Sequence, residues 1–118
     1  MDNKFYVSYE AARLLKEKGY NEECKYIIYD DGEMFDYQYL KNQDLPEWKW
    51  SCPTKAEAID WLDSKGVIIE VLQDYRGVWF YVIKISETES YVSESDNNYF
   101  PTRLEAEDVA IIKALKLL

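Results

Sequence analysis

The spacing of apolar residues along the chain predicts three helices. The clearest spans residues 54–66, because Thr54 and Glu57 have the spacing of a capping box and Gly66 can adopt the left-handed conformation that ends a helix. Its apolar residues fall on one face at helical spacing: Ala58, Ile59, Trp61, Leu62 and the stem of Lys65. This face needs a sheet or another helix to cover it.

Capping residues also mark the first and last helices. Ser8 is the predicted N-cap of the first helix, and Gly19 followed by Tyr20 is typical of a Schellman stop. Thr102 and Glu105 repeat the capping box at the start of the last helix. Apolar residues surround this last helix almost completely, which predicts that it is deeply packed.

Alternating apolar and polar residues predict strands between the first two helices. Segments 24–30 and 33–39 flank Asp31-Gly32, the signal of a two-residue type I′ hairpin turn. The register that this turn sets opposes Ile28 to Phe35. The polar face of the hairpin then carries Lys25, Asp36 and Gln38.

A third strand is predicted at 47–52, after the polar stretch that ends at Pro46. Strict alternation in this segment places Trp48, Trp50 and Cys52 on the core face. The alternative interpretation is a loop that carries two exposed tryptophans. Both interpretations leave the second helix to follow at once.

Beyond the second helix, segments 67–73 and 78–85 are rich in β-branched and aromatic residues and predict another hairpin. If Gln73 opposes Val78, both faces of this hairpin are apolar. We therefore expect it to be covered on both sides, by helices or by another chain. A weaker strand is predicted at 90–94 after a polar turn at 87–88, and 95–98 is predicted to be a loop.

These elements predict an α+β fold in one domain, residues 1–118, with the order αβββαβββα and antiparallel sheets packed against three helices. Residues 53–58 and 101–106 are similar, which suggests a duplication of units 8–52 and 53–100 followed by a C-terminal helix, 102–118. Two good capping boxes would look alike without common origin, so both explanations stay open.

Charge and composition narrow the classes of partner. The chain of 118 residues has a net charge of −9, which disfavours direct binding to nucleic acid or to anionic membranes. Its longest uninterrupted apolar run, 78–83, is too short to cross a bilayer, and residues 1–4 lack the basic start and apolar run that a signal peptide would show. With two cysteines, these features indicate a cytoplasmic protein.

Catalytic chemistry has little support in the sequence. The absence of histidine excludes Ser-His-Asp, Cys-His and His-metal sites, and the four glycines are isolated rather than part of a phosphate-binding loop. We therefore predict no catalytic residue, metal or cofactor. The acidic residues around the first hairpin form a solvated turn, with a divalent-ion site as the weaker alternative. Glu70, placed opposite Tyr81, is the remaining candidate acid or base.

The candidate binding residues are aromatic, because tryptophan and tyrosine are favoured in protein interfaces, or acidic. They are Trp48, Trp50, Tyr75, Trp79 and Tyr81, together with Asp31 and Asp36. Core packing explains most aromatic residues in such a chain. Tyr75 differs, since it lies at the tip of a turn beside Arg76.

Two resemblances bear on function. Segment 53–118 resembles a double-stranded-RNA-binding domain in its order of elements and in Ala106, Ala110 and Ala114 of the last helix, but it lacks that family's basic cluster, so RNA binding is not implied. The segments Ser8–Ala12, Lys18–Tyr20, 53–54 with 58–62, and 105–106 with 114–115 resemble small proteins from prophages and mobile elements of gut Bacteroidetes. That likeness implies a genetic setting and no activity.

The resulting hypothesis is a non-enzymatic, acidic protein–protein interaction module, a phage accessory protein that engages a basic host or phage partner. One alternative is a self-associating structural module, a homodimer that covers the 67–85 hairpin. The other is a small-ligand binder or enzyme that uses Glu70 and nearby tyrosines.

Overall fold

The structure, a computed structural model, describes residues 3–85, 90–92 and 99–118. Within these ranges it contains helices α1 (Tyr9–Glu17), α2 (Lys55–Ser64) and α3 (Arg103–Lys116) and strands β1 (Cys24–Ile28), β2 (Met34–Leu40), β3 (Trp50–Ser51), β4 (Val67–Gln73), β5 (Trp79–Ile85) and β6 (Ser90–Val92). The predicted α+β class, with antiparallel sheets packed against helices, is confirmed. The predicted turn at 87–88, the end of the strand at 93–94 and the loop at 95–98 lie outside the described residues.

The predicted N-caps are present at all three helices, and the full capping box is present at α2, whereas at α3 only the Thr102 half of the predicted box is formed. Ser8 Oγ accepts a hydrogen bond from the Ala11 N–H, and α1 ends in a Schellman motif in which the Tyr20 N–H donates to the Leu15 carbonyl at 2.8 Å. Thr54 and Glu57 form the full capping box of α2. At α3, Thr102 Oγ1 accepts from the Glu105 N–H at 3.2 Å.

The strands form two antiparallel sheets with the orders β2-β1-β3 and β4-β5-β6. Strand β3 is shorter than predicted, because Pro46 and Lys49 close a turn through a carbonyl–N–H hydrogen bond of 3.1 Å. Trp48 lies in this turn and is 61% exposed, so its predicted place on the core face is wrong, whereas Cys52 is buried as predicted.

Both predicted hairpin registers are wrong by one residue, for the same reason. The Tyr29 N–H donates to the Glu33 carbonyl, and the Asp74 N–H donates to the Val78 carbonyl. Each loop therefore has three residues, whereas two were predicted for the first hairpin and four for the second. Gly32 and Gly77 occupy the third loop position with φ of 86° and 84°. This arrangement is a type I turn followed by a left-handed residue.

A register change of one residue moves side chains to the opposite face of a strand. Phe35 opposes Ile27 instead of Ile28 and is 41% exposed, while Asp36 opposes Tyr26. In the second hairpin, Glu70 opposes Val82 instead of Tyr81.

Helices α2 and α3 cover one face of the second sheet, the face that carries the buried residues Val67, Ile69, Tyr81 and Ile83. On the other face Leu72 is 43% exposed and Glu70 is also exposed. Among the described residues no helix covers this second face, so the part of the prediction that assigns the cover to helices is wrong there, and cover by another chain stays a prediction.

The main core lies between the three helices and the two sheets, and its largest fully buried side chains include Leu15, Leu62, Ile83, Ile111 and Leu115. Helix α3 is buried along one side rather than all round, since Val109 is 40% exposed.

A buried polar residue, Asn42, ties the first sheet to the end of α1. Its Nδ2 donates to the Tyr20 carbonyl at 2.8 Å, and its Oδ1 accepts from the Ser51 N–H at 2.9 Å.

Candidate functional site

Trp48 belongs to an exposed aromatic cluster beside the loop of the first hairpin. The Tyr29 ring lies 4.8 Å from the Phe35 ring and 6.2 Å from the Trp48 ring, measured between centroids. The Lys49 ammonium lies 4.7 Å from the centroid of Trp48. This cluster combines an aromatic surface with the neighbouring acidic loop that contains Asp31.

Lys16 of α1 fixes the turn that carries Trp48. Its Nζ donates to the carbonyls of Pro46 and Lys49, both at 2.8 Å. Partial burial lowers the pKa of the Lys16 ammonium, and nearby Glu47 opposes that shift. The turn is therefore anchored to a helix rather than held by its own backbone alone.

The other predicted aromatic residues do not join this cluster. Trp50 is half-buried and its ring lies edge-on to Tyr9, with centroids 5.0 Å apart. Trp79 is half-buried and exchanges two backbone hydrogen bonds of 2.8 Å with Phe100. Tyr81 is 2% exposed, so it is a core residue and offers no surface to a partner.

Tyr75 is 98% exposed at the tip of the β4–β5 loop, as its sequence position suggests. The Arg76 guanidinium lies 5.9 Å from the Tyr75 ring centroid and 4.5 Å from that of Tyr99, and it also pairs with Asp74 at 2.8 Å. Arg76 is thus held by Asp74 and Tyr99. Tyr75 remains almost fully exposed, so its ring is the aromatic surface that the loop tip presents to a partner.

The predicted acidic residues have local roles. Asp31 Oδ1 accepts from the Glu33 N–H at 2.9 Å and so shapes the hairpin loop, while Asp36 is exposed on β2. Glu70 lies on the sheet face opposite Tyr81, which separates the two groups that the enzyme hypothesis combined. Among the described residues, no cluster of acidic side chains or thiols could hold a metal ion.

The structure also reveals an acidic cleft of about 610 Å³ that the sequence reasoning missed. It is formed where the chain leaves α1 and passes α2, and its lining includes Tyr20, Glu22, Glu23, Lys41, Glu57, Asp60, Trp61 and Ser64. The four α2 residues recur at positions i, i+3, i+4 and i+7, which is the spacing of one helical face. That spacing could have identified the polar face of α2, although not the segment that lies beside it in the cleft.

Aromatic rings and carboxylates are combined in this acidic cleft. The Trp61 ring lies edge-on to Tyr20 with centroids 5.5 Å apart, and the Lys65 ammonium lies 5.3 Å from the Trp61 centroid. Burial raises the pKa of the Tyr20 phenol, with further contributions from Cys24 and from the cleft residues Glu57 and Glu22. The cleft therefore has negative charge next to a ring that already attracts an ammonium group.

The two thiols are buried structural groups. Desolvation raises the pKa of Cys24 to about 11 and that of Cys52 to about 12. Cys24 contacts the Tyr20 hydroxyl at 3.7 Å, and Cys52 Sγ donates to the Val7 carbonyl at 3.4 Å. A thiol held in its neutral form is a poor nucleophile.

No family model, curated protein or solved structure matches this chain. The resemblances to prophage proteins and to double-stranded-RNA-binding domains therefore remain predictions. No helix in the described part of the chain is both long and apolar enough to cross a membrane.

Proposed function

We propose that the protein is a non-enzymatic interaction module that binds a basic segment of a partner protein in the acidic cleft. The observation that carries this proposal is the combination of four carboxylates with the Trp61 ring in one cleft of about 610 Å³. Proteins that bind nucleic acids carry such basic segments, and they are the partner class that we favour.

The chain's own Lys65 supports the choice of a cationic ligand. Its ammonium lies over the Trp61 ring, so this indole already interacts with a cation of the kind that a basic partner would bring. Arginine fits best, because its planar guanidinium can stack on an indole while it donates to carboxylates such as Glu22 and Asp60. The net charge of −9 adds long-range attraction for a basic partner.

A binding experiment tests the location of the site as well as its charge. The probe is a fluorescein-labelled peptide of alternating arginine and glycine, and its anisotropy is measured as the protein is added. The double variant E22Q/E23Q should bind about threefold to tenfold more weakly, since each exposed charge pair contributes a fraction of a kcal/mol. Raising the salt concentration should weaken binding to the wild-type protein.

The matched control is D30N/E33Q, which removes the same amount of charge from two exposed residues in and beside the first hairpin loop. We expect this control to retain most of the affinity. Equal losses for both double variants would show that net charge rather than the cleft attracts the peptide, and absence of binding at low salt would refute the proposal outright.

Self-association is the second candidate, and the outer face of the second sheet supports it. Leu72 is 43% exposed there, and Ile68, Phe80 and Val82 share the face and are partly exposed. Light scattering at high protein concentration should then give a dimer mass for the wild-type chain and 14.1 kDa for Leu72→Glu. A wild-type mass of 14.1 kDa at every concentration would remove this candidate.

A further inference from the structure

A second cleft, of about 550 Å³, lies between the first hairpin and the starts of all three helices. Apolar side chains form much of its lining: Val7, Ile28, Met34, Phe100 and Val109, with the rings of Tyr6 and Tyr9. This volume is in the range of small-molecule sites, and a mainly apolar lining with a few polar groups is typical of them. The acidic cleft shares none of these residues.

We call this second cleft the inter-sheet cleft, and Lys55 is its unusual residue. It is 7% exposed, and its Nζ donates to the Leu104 carbonyl at 3.0 Å. An ammonium has three donors, and in the described part of the chain the other two meet neither a carboxylate nor a second acceptor. A charge that is largely removed from water without an opposite charge is costly, so a ligand carboxylate would find a favourable partner here.

Two carboxylates line the same cleft. Asp108 Oδ1 accepts from the Ser8 N–H at 3.1 Å, which leaves its second oxygen without a hydrogen-bond donor among the described residues. Glu105 is exposed in the first turn of α3, one residue after the carbonyl that Lys55 contacts. These groups would repel a simple anion, just as Lys55 would repel a simple cation.

We propose that the inter-sheet cleft binds a small zwitterion with one apolar group, of the size of a free apolar amino acid or a dipeptide. The ligand carboxylate pairs with Lys55, its ammonium pairs with the second carboxylate oxygen of Asp108, and its apolar group packs against Ile28 and Met34. This inference is independent of the basic segment proposed for the acidic cleft.

The test is a titration of the ¹⁵N-labelled protein, followed by amide chemical shifts. The probes are L-phenylalanine, L-phenylalaninamide, which lacks the carboxylate, and N-acetyl-L-phenylalanine, which lacks the ammonium. We expect saturable shifts at the amides of Ser8, Ile28, Met34 and Val109, and about tenfold weaker binding of either analogue, because each loses one charge-assisted hydrogen bond. L-leucyl-L-phenylalanine distinguishes a free amino acid from a dipeptide as the better ligand.

Two variants assign the two charges, and a third is the control. Lys55→Met should bind L-phenylalanine and its amide equally, and Asp108→Asn, which keeps an acceptor for the Ser8 N–H, should no longer discriminate against the acetyl derivative. Lys65→Met changes the net charge as Lys55→Met does, but it lies beside the other cleft and should bind as the wild type does.

The proposal is overturned if the analogues bind to the wild type as tightly as L-phenylalanine, if the shifts map outside the cleft, or if no saturable shift occurs. The wild-type comparison of ligands decides the question even if a variant fails to fold.

Discussion

Asn42 offers the sharpest test of how the first sheet is held. Replacing Asn42 with alanine removes both of its hydrogen bonds and leaves the Tyr20 carbonyl and the Ser51 N–H without these partners. Both groups belong to buried residues, since Tyr20 is 2% exposed and Ser51 is 0% exposed. Each buried polar group that loses its partner costs about 1–3 kcal/mol. Allowing for water that enters the space, we expect the free energy of unfolding to fall by about 2–4 kcal/mol.

Urea denaturation followed by circular dichroism measures this loss, with the slope of the transition checked for two-state behaviour. Gln43→Ala is the matched control, because Gln43 is adjacent but exposed and its Oε1 accepts a single hydrogen bond, from Asn21 Nδ2 at 3.0 Å. We expect the control to lose less than about 1 kcal/mol.

A loss for Asn42→Ala that is no larger than the loss for Gln43→Ala would refute the reasoning. It would mean that water replaces the amide at both partners, and that burial of Asn42 contributes no more than an exposed hydrogen bond does.

Two further predictions concern the thiols and a loop glycine. Because burial raises the pKa of Cys24 from its ordinary 9.0 to about 11, an aromatic disulfide reagent at pH 8 should label this thiol only on unfolding. Native labelling at the unfolded rate would contradict this. The stability that the neutral thiol contributes should be present below pH 9.0 and should be lost as the pH rises towards about 11. Gly77→Ala should lower the free energy of unfolding, measured by urea denaturation, by about 1–2 kcal/mol, because the φ of 84° strains any residue with a Cβ. The added Cβ meets Gln73 at an ordinary 3.8 Å, so the cost comes from the backbone rather than from a clash. Gly77→Asn should cost less, and equal costs would argue against backbone strain.

Local signals predicted the helices well, because a cap depends on residues that are close in sequence. Ser8, Thr54 and Thr102 each accept the hydrogen bond that their positions indicated. The strands were located but not paired correctly. A glycine at the end of a turn signal fits a two-residue or a three-residue loop, and only the hydrogen bonds of Tyr29 and Asp74 distinguish them.

The candidate sites were harder to predict because they combine distant segments. Trp48 is a predicted binding residue, but Tyr29 meets it only through the β1–β3 pairing and the contact with Lys16. The acidic cleft joins Glu22 and Glu23 to one face of α2, and no pattern within either segment shows that they meet. The position of Lys55 at the start of a helix suggests an exposed side chain, but the packing of α3 beside it buries this lysine.

The two sheets differ in how they overcome chain entropy. In the second sheet β5 follows β4 after a tight loop, so pairing closes little chain, whereas β3 reaches β1 only after the whole of β2 and the segment that follows it. Asn42 lies near the start of that segment and Lys16 of α1 bonds to the carbonyls of Pro46 and Lys49 in its second half, so four hydrogen bonds from two side chains hold it. Two polar side chains thus restrict the long connection in the first sheet, whereas the short loop between β4 and β5 restricts the chain in the second.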